Sequence, residues 1–317
     1  MYDYKEVHKH SIVVDAHSDI PLDIYYSRNK GIDNIINQKH LPHLREGGVN
    51  IVFVNLYAEL HPEGSLKQTL LQLGDIYKEI DECPYLTLIK TSEDLSKVIT
   101  GDKIGLLLSM EGLEPISNDL SLLRVFYKLG LRSASLTWDF RNYFASGTGE
   151  IGGLSRLGKE AVQEMERLGV IVDVSHLNDE GFWDVIEVAK KPIIASHSNA
   201  RSLYNHPRNL TDEQIDAIVK TGGVIGLNNY YSEDDDKGSL DTFMEHLVYI
   251  IDRAGEDHVG LGLDFNGYIG EIMTTGLEDA RCFPNITKEL LVRGYGIDVI
   301  EKVLGKNFLR VLSGVLR

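Results

Sequence analysis

The chain has 317 residues, 43% of them hydrophobic, with 48 acidic against 32 basic side chains and a formal charge of −16. So acidic a balance repels a phosphate backbone and argues against nucleic-acid binding, and so many apolar residues exclude a disordered chain. Apolar runs such as 49–56 and 104–110 fall far short of the roughly 20 residues that cross a bilayer, and the polar opening MYDYKEVHKH does not look like a signal peptide. A cytoplasmic protein with no membrane attachment is expected, and Cys83 and Cys282, outside any ligand spacing, read as inert thiols.

Eight short apolar, β-branched runs recur along the chain, at 12–16, 49–56, 104–110, 132–137, 170–175, 192–196, 223–228 and 258–264. Their largely continuous apolar character fits parallel strands buried on both faces. The stretch 57–103 after the second run is long enough to hold a helix or two. Residues 140–153, after the fourth, are Gly-rich and loop-like. Helices are then expected at 155–168, stopped by Gly169, and at 178–189, with Asp179 and Glu180 near its start. Two more come at 211–220 and 242–254, and terminal helices at 286–317 are broken at Gly294, Gly296 and Gly305. Alternating strands and helices point to an α/β fold, a TIM-type (β/α)8 barrel with loop insertions and C-terminal helices, in one domain spanning 1–317. An open doubly wound sheet is the alternative, but no Gly-x-Gly-x-x-Gly comes after the first run.

The active site of such a barrel lies where the strands end, and several runs end in metal-binding chemistry. The first leads into His17 and Asp19, the third into Glu111, the fifth into His176, the sixth into His197 and the eighth into Asp264. Three imidazoles and three carboxylates on one rim suit a divalent metal, zinc above all. His17-x-Asp19 can grip one ion from alternate positions, and Glu111 is placed to bridge two. A lone strand-end His is more often a hydrogen-bonded core or rim residue, so the co-occurrence carries the inference. Asp15 reads either as part of this set or as an acceptor of backbone hydrogen bonds. Arg208 reads as a clamp for a substrate carboxylate or as an idle surface arginine, and Tyr230 and Tyr231 as pocket lining or as the cap of the seventh strand. His8 and His10 are expected to be solvated, and His40, His43 and His61 to lie in loops without carboxylate partners at ligand spacing. The acidic run at 233–236 reads as a solvated loop.

At these residues the sequence resembles the membrane (renal-type) dipeptidase family of metallopeptidases. The motifs are Val-Asp-Ala-His17-Ser-Asp19-Ile-Pro, Met-Glu111-Gly, Val-Asp-Val-Ser-His176, Ala-Ser-His197-Ser-Asn-Ala-Arg, His-Pro-Arg208-Asn-Leu-Thr-Asp and Gly-Leu-Gly-Leu-Asp264-Phe, with Leu-Pro-His-Leu-Arg-Glu-Gly-Gly at 41–48 and Gly-Lys-Asn-Phe-Leu-Arg at 305–310. The resemblance implies a binuclear zinc dipeptidase, in which His17 and Asp19 hold one Zn2+, His176 and His197 the other, and Glu111 with a water or hydroxide bridges them. It implies that the bridging hydroxide attacks the peptide bond, that Asp264 is the acid/base group, that Arg208 binds the dipeptide's C-terminal carboxylate, and that the protein forms a homodimer. One departure stands out. Many members have Leu-Thr-His after the fourth strand, where this chain has Leu-Thr-Trp138-Asp139. An indole donates a hydrogen bond but cannot become cationic, so Trp138 either stabilises the transition state differently or forms a hydrophobic wall for the substrate. That departure keeps open a related barrel amidohydrolase acting on another amide or a lactone, beside a non-catalytic metal-binding member. The family's secreted members carry signal sequences, disulfides and a lipid anchor that this sequence is not expected to have.

Overall fold

The computed structural model describes residues 2–58, 64–232, 238–266 and 274–317. His61 and the acidic run at 233–236 lie outside the described residues. The strands are β1 (Val13–Ser18), β2 (Val49–Tyr57), β3 (Leu86–Leu88), β4 (Ile104–Glu111), β5 (Leu131–Ser135), β6 (Ile171–Asp173), β7 (Ile194–Ala195), β8 (Val224–Leu227) and β9 (Val259–Leu261). Eight of them, the eight expected runs, succeed one another as β1-β2-β4-β5-β6-β7-β8-β9, and every neighbouring pair is parallel. The result is a nearly closed TIM-type barrel. The additional strand, β3, pairs with Ile104–Leu106 of β4, below the stretch that β5 takes at Leu108–Met110. It sits in the insertion between the helices Ser65–Glu82 and Ser92–Thr100, where three residues are too few to show a pattern.

The seam is closed at the C-terminal ends of the first and last strands. Asp264 N donates to the His17 carbonyl at 3.1 Å and Asp19 N to the Phe265 carbonyl at 2.9 Å. The buried Asp15 carboxylate accepts from Leu263 N at 2.9 Å and from His17 N at 3.4 Å, so of its two readings the backbone one applies. Asp173 plays the same part at the end of β6, where its Oδ1 accepts from Ser175 N and Ser196 N, both at 2.9 Å. Past the short strands β6 and β7 the backbone donors are thus satisfied by a side chain instead of a ladder partner.

Alternate strand residues face two cores. Val14, Ala16, Ile51, Phe53, Leu107, Ile171, Ile194 and Val224 fill the barrel, plugged by Phe308 and Leu312 from the terminal helix Asn307–Val315. A Cβ on Gly260 would drive into the Phe308 ring, so only glycine lets that plug enter. The opposite strand faces pack beneath the surrounding helices. Those helices start where their caps place them: Ser155, Asn178 and Thr211 each accept a backbone N–H from three residues on. The helix Leu240–Ala254 begins two residues before the expected 242, because Ser239 and Thr242 form a capping box.

Three expectations are corrected. Gly305 is not a break; it lies within the π-turn Lys302–Lys306 that runs on into the last helix, whereas Gly294 and Gly296 do separate Phe283–Val292 from Ile297–Glu301. His8 is not solvated: on the helix Tyr4–His10 it is buried with Val7, and the charged neighbours Lys5, Glu6, Lys9 and His10 mask that inner face in the sequence. His40 and His43 do have carboxylate neighbours: His40 Nε2 lies 2.8 Å from Asp23 Oδ2 on the preceding helix Ile20–Asn29, and His43 Nδ1 lies 3.7 Å from Asp279 Oδ2. Cys83 and Cys282 are both free thiols.

Candidate functional site

His17, Asp19, Glu111, His176, His197 and Asp264 meet at the barrel mouth, all buried. His17 leaves β1 with Nε2 3.5 Å from Glu111 Oε1, 3.5 Å from Asp264 Oδ1 and 3.9 Å from Asp19 Oδ1. Glu111, the last residue of β4, places the same Oε1 2.8 Å from His176 Nε2 and 3.6 Å from His197 Nε2. The ring nitrogens His176 Nε2 and His197 Nε2 are 2.9 Å apart. Two groups of donor atoms are tight enough to hold one ion each, His17 with Glu111 and His197, and His17 with Asp19 and Asp264. These six residues therefore come together, and His17 belongs to both groups found among the described residues.

Local backbone supports this convergence. His176 and Asp264 adopt φ of 71° and 60°, and Asn266 beside them 75°. Non-glycine residues in this left-handed region are uncommon and cluster where a side chain must be aimed against backbone preference. Gly112, with φ 89°, turns the chain immediately after Glu111, and a Cβ there would strike the Glu114 carboxyl. Its N–H donates to Ser135 Oγ at 2.9 Å, tying the end of β4 to β5.

The donor chemistry fits a divalent metal. Neither ring nitrogen of His17 nor Oδ1 of Asp19 has a hydrogen-bond partner, although all three atoms are buried. Buried polar atoms are nearly always satisfied, and a cation is the partner that an imidazole and adjacent carboxylates together lack. Burial pushes the His17, His176 and His197 rings down, to about 4 for His176, so they are neutral lone-pair donors. Burial, and then repulsion from neighbouring carboxylates, Asp264 and Asp15 on Asp19 and Asp19 and Asp264 on Glu111, push both groups well up, and a cation between them would remove both penalties.

Asp264 is held next to this cluster with Oδ2 accepting from Asn228 Nδ2 at 3.2 Å. Burial pushes its carboxyl up to about 7, against the pull of Arg208 and Asn228. Arg208 is buried, with Nη2 3.1 Å from His176 Nε2 and Nε free of hydrogen bonds, 3.9 Å from Asp139 Oδ1. It is therefore a cation inside the site, and of its two readings the idle surface arginine falls away. Trp138 stands at the rim with its ring centroid 6.0 Å from that of His176, flanked by Tyr57 at 5.4 Å and Phe140 at 5.5 Å. Tyr230 is half-buried, with its backbone held by Asn228 and Asn199. Its neighbour Tyr231 stacks on His206 at 4.4 Å and lies 5.6 Å from the Arg208 guanidinium.

Two further residues, not singled out by the sequence, complete the site. Asp139 Oδ1 accepts from His176 Nδ1 at 2.9 Å and from Thr148 Oγ1 at 2.7 Å, fixing the ring so that Nε2 faces the cluster. Asn228 orients Asp264. Both lie at strand ends, where the barrel rule directs attention, but Trp138 overshadows the first and the second is not an ionisable type.

The family described as membrane dipeptidase (peptidase family M19) matches residues 1–316. Among curated relatives, dipeptidase verJ of Clonostachys rogersoniana is 33% identical over 96% of this chain and 84% of its own, and dipeptidase tcpJ of Claviceps purpurea is 31% identical over 96% and 74%. Among solved structures, a metallo peptidase from Rhodobacter sphaeroides, liganded with a phosphinate mimic of the dipeptide L-Ala-D-Ala, superposes with a TM-score of 0.89 at 26% identity, covering 96% of this chain and 99% of that one. Dipeptidase AC, a metallo peptidase of family M19, gives 0.90 at 27%, with the same coverage.

Proposed function

The chain belongs to the membrane dipeptidase family, peptidase family M19, and from that premise we propose that it hydrolyses dipeptides with two zinc ions held at the barrel mouth. Membership makes it a dipeptidase of the metallopeptidase class; zinc, its stoichiometry of two and the individual residue roles belong to the proposal. One observation carries it: five metal-ligating side chains converge inside the barrel while His17 and Asp19 keep buried atoms that no protein group satisfies. His17 and Asp19 would hold one ion and His176 and His197 the other, with Glu111 between them. Bound there, zinc lowers the pKa of water and polarises the scissile carbonyl.

The protein's own groups supply the rest. Asp264, near neutrality in its buried setting, is suited to accept a proton from the attacking water at Oδ1 and return it to the leaving amine, while Asn228 fixes its other oxygen. Arg208 would pair with the dipeptide's C-terminal carboxylate, for which its Nε, which makes no hydrogen bond, is available. Asp139 keeps the His176 ring from turning. Trp138, Tyr57 and Phe140 offer an aromatic wall beside the reacting bond, which favours substrates with an apolar side chain there and excludes water. The same wall motivates a second reading, hydrolysis of another amide or a lactone.

A panel of L,L- and L,D-dipeptides, assayed beside N-acyl amides and lactones with and without chelator, tests both. Chelator-sensitive turnover of dipeptides, with about two zinc ions per chain by elemental analysis, is the expected result. Turnover confined to amides or lactones selects the second reading, and no metal-dependent turnover of any compound defeats both.

A further inference from the structure

At the opposite end of the barrel, below the starts of β2 and β4, lies a cleft of about 650 Å³. It is walled by the helix Tyr4–His10, the helix Leu41–Glu46, the loop 101–103 and the start of the helix Phe283–Val292. Its charge is opposite in sign to that of the molecule. Lys5, Lys9, Arg45 and Lys103 line it, and among the described residues no carboxylate oxygen lies within 4.0 Å of the charged nitrogens of any of the four. Two acids, Glu46 and Asp102, also line it, while a fifth cation, Arg281, is neutralised by Asp279 at 2.6 Å.

Single basic side chains without an acid partner occur elsewhere among the described residues, Lys30, Lys128 and Lys220 among them, while others are tightly paired: Lys302 touches three carboxylates, and Arg201 and Arg253 each grip one with two prongs. What sets the cleft apart is that four such cations line one concavity in a chain where acids outnumber bases by 48 to 32. Lys5 and Lys9 are four apart on one helix and both line the cleft, a like-charge pairing that destabilises a helix unless an anion lies between them. Arg45 is held in place over the Tyr85 ring, 3.9 Å from its centroid. Asn50 and Asn285 add amides to the wall. The volume is that of a small-molecule site, and the concave shape shields its ligand from the negative field of the remaining surface.

We propose that this basal cleft binds a small phosphorylated organic anion through Lys5, Lys9, Arg45 and Lys103, at a site separate from the metal cluster. Two or more negative charges are required to engage lysines from one helix together with Lys103 across the cleft, which points to a bisphosphate or a nucleotide rather than a monocarboxylate. Isothermal titration of the zinc-loaded full chain with fructose 1,6-bisphosphate, and separately with adenosine 5′-monophosphate and inorganic phosphate, tests this and distinguishes a sugar phosphate, a nucleotide and the bare ion. Saturable binding of one organic phosphate is expected, weakened at least about tenfold in the Lys9→Glu/Lys103→Glu protein and unchanged in Lys220→Glu, with dipeptide hydrolysis retained in both variants as proof of folding. Absence of saturation up to about 10 mM of each ligand, equal affinity in the charge-reversed protein, or binding that disappears with the zinc rather than with the lysines would overturn it.

Discussion

His8 and His17 are both buried histidines, the one on the helix before the first strand and the other near that strand's C-terminal end. Burial holds both rings below the ordinary value. Their partners could hardly differ more. His8 at the base has Nδ1 2.7 Å from Thr287 Oγ1 and Nε2 2.8 Å from the Gly47 carbonyl, so it staples the first helix to the helix Phe283–Val292 and the turn before β2. His17 at the mouth has neither nitrogen hydrogen-bonded. Burial alone therefore does not separate a structural imidazole from one proposed to hold a metal; satisfaction by protein does. The same contrast runs through the two ends of the barrel. The base is pinned by Phe308 and by side chains with partners, whereas the mouth holds His176 and Asp264 in left-handed backbone and leaves buried atoms for something else to satisfy.

Substitutions at the mouth should abolish chemistry without unfolding the chain, and the largest effect belongs to Glu111. Glu111→Gln removes the carboxylate common to His17, His176 and His197, and activity should fall by at least about 10³-fold with loss of bound metal. Elemental analysis beside the dipeptide assay checks it, and a fully loaded, active variant would remove Glu111 from the centre. Asp264→Asn should lower kcat by about 10²–10⁴-fold while both ions stay bound; loss of metal instead would make Asp264 a ligand, as its grouping with His17 and Asp19 allows. Arg208→Met should act chiefly on KM, raising it about 10–100-fold with a smaller change in kcat. A dipeptide amide, lacking the carboxylate, should then be cleaved equally by variant and parent. If the variant discriminates between the two substrates as the parent does, the clamp is elsewhere.

Much of this is legible from residue order because a (β/α)8 barrel converts chain position into spatial position. Each apolar run is a strand, and the residues just past its end stand at the mouth. His17, Glu111, His176, His197 and Asp264 are readable for that reason. Asp139 is not, since its role depends on facing His176 across a gap of 37 positions, and neither is the pairing of His40 with Asp23, set by how a π-turn lies on the previous helix. The strand β3 is hidden for another reason: three residues that merely extend the foot of β4 show no periodicity of their own. His8 misleads because charged neighbours on a short helix outweigh the one turn that faces inward.

The smallest expected effect is the one that tests the base. His8→Gln should leave the metal site intact and cost about 1–3 kcal/mol at neutral pH, the penalty of disturbing two buried hydrogen bonds. Its pH dependence distinguishes a buried neutral imidazole from simple loss of packing. Because burial holds the His8 ring below 6.5 in the folded protein, the unfolded chain binds a proton that the folded chain refuses once the pH drops under 6.5. The stability contributed by the neutral ring is thus complete above 6.5 and is lost as the pH falls toward the folded value, at up to about 1.4 kcal/mol per pH unit. His246, pushed down to about 4 by burial, acts in the same direction in parent and variant alike and cancels in the comparison. Urea melts of metal-free protein at pH 7.5, 6 and 5 should therefore show the gap between parent and His8→Gln narrowing as the pH falls. Parallel curves across that range would mean that His8 does not titrate on unfolding, and the division between a satisfied base and an unsatisfied mouth would have to rest on hydrogen bonds alone.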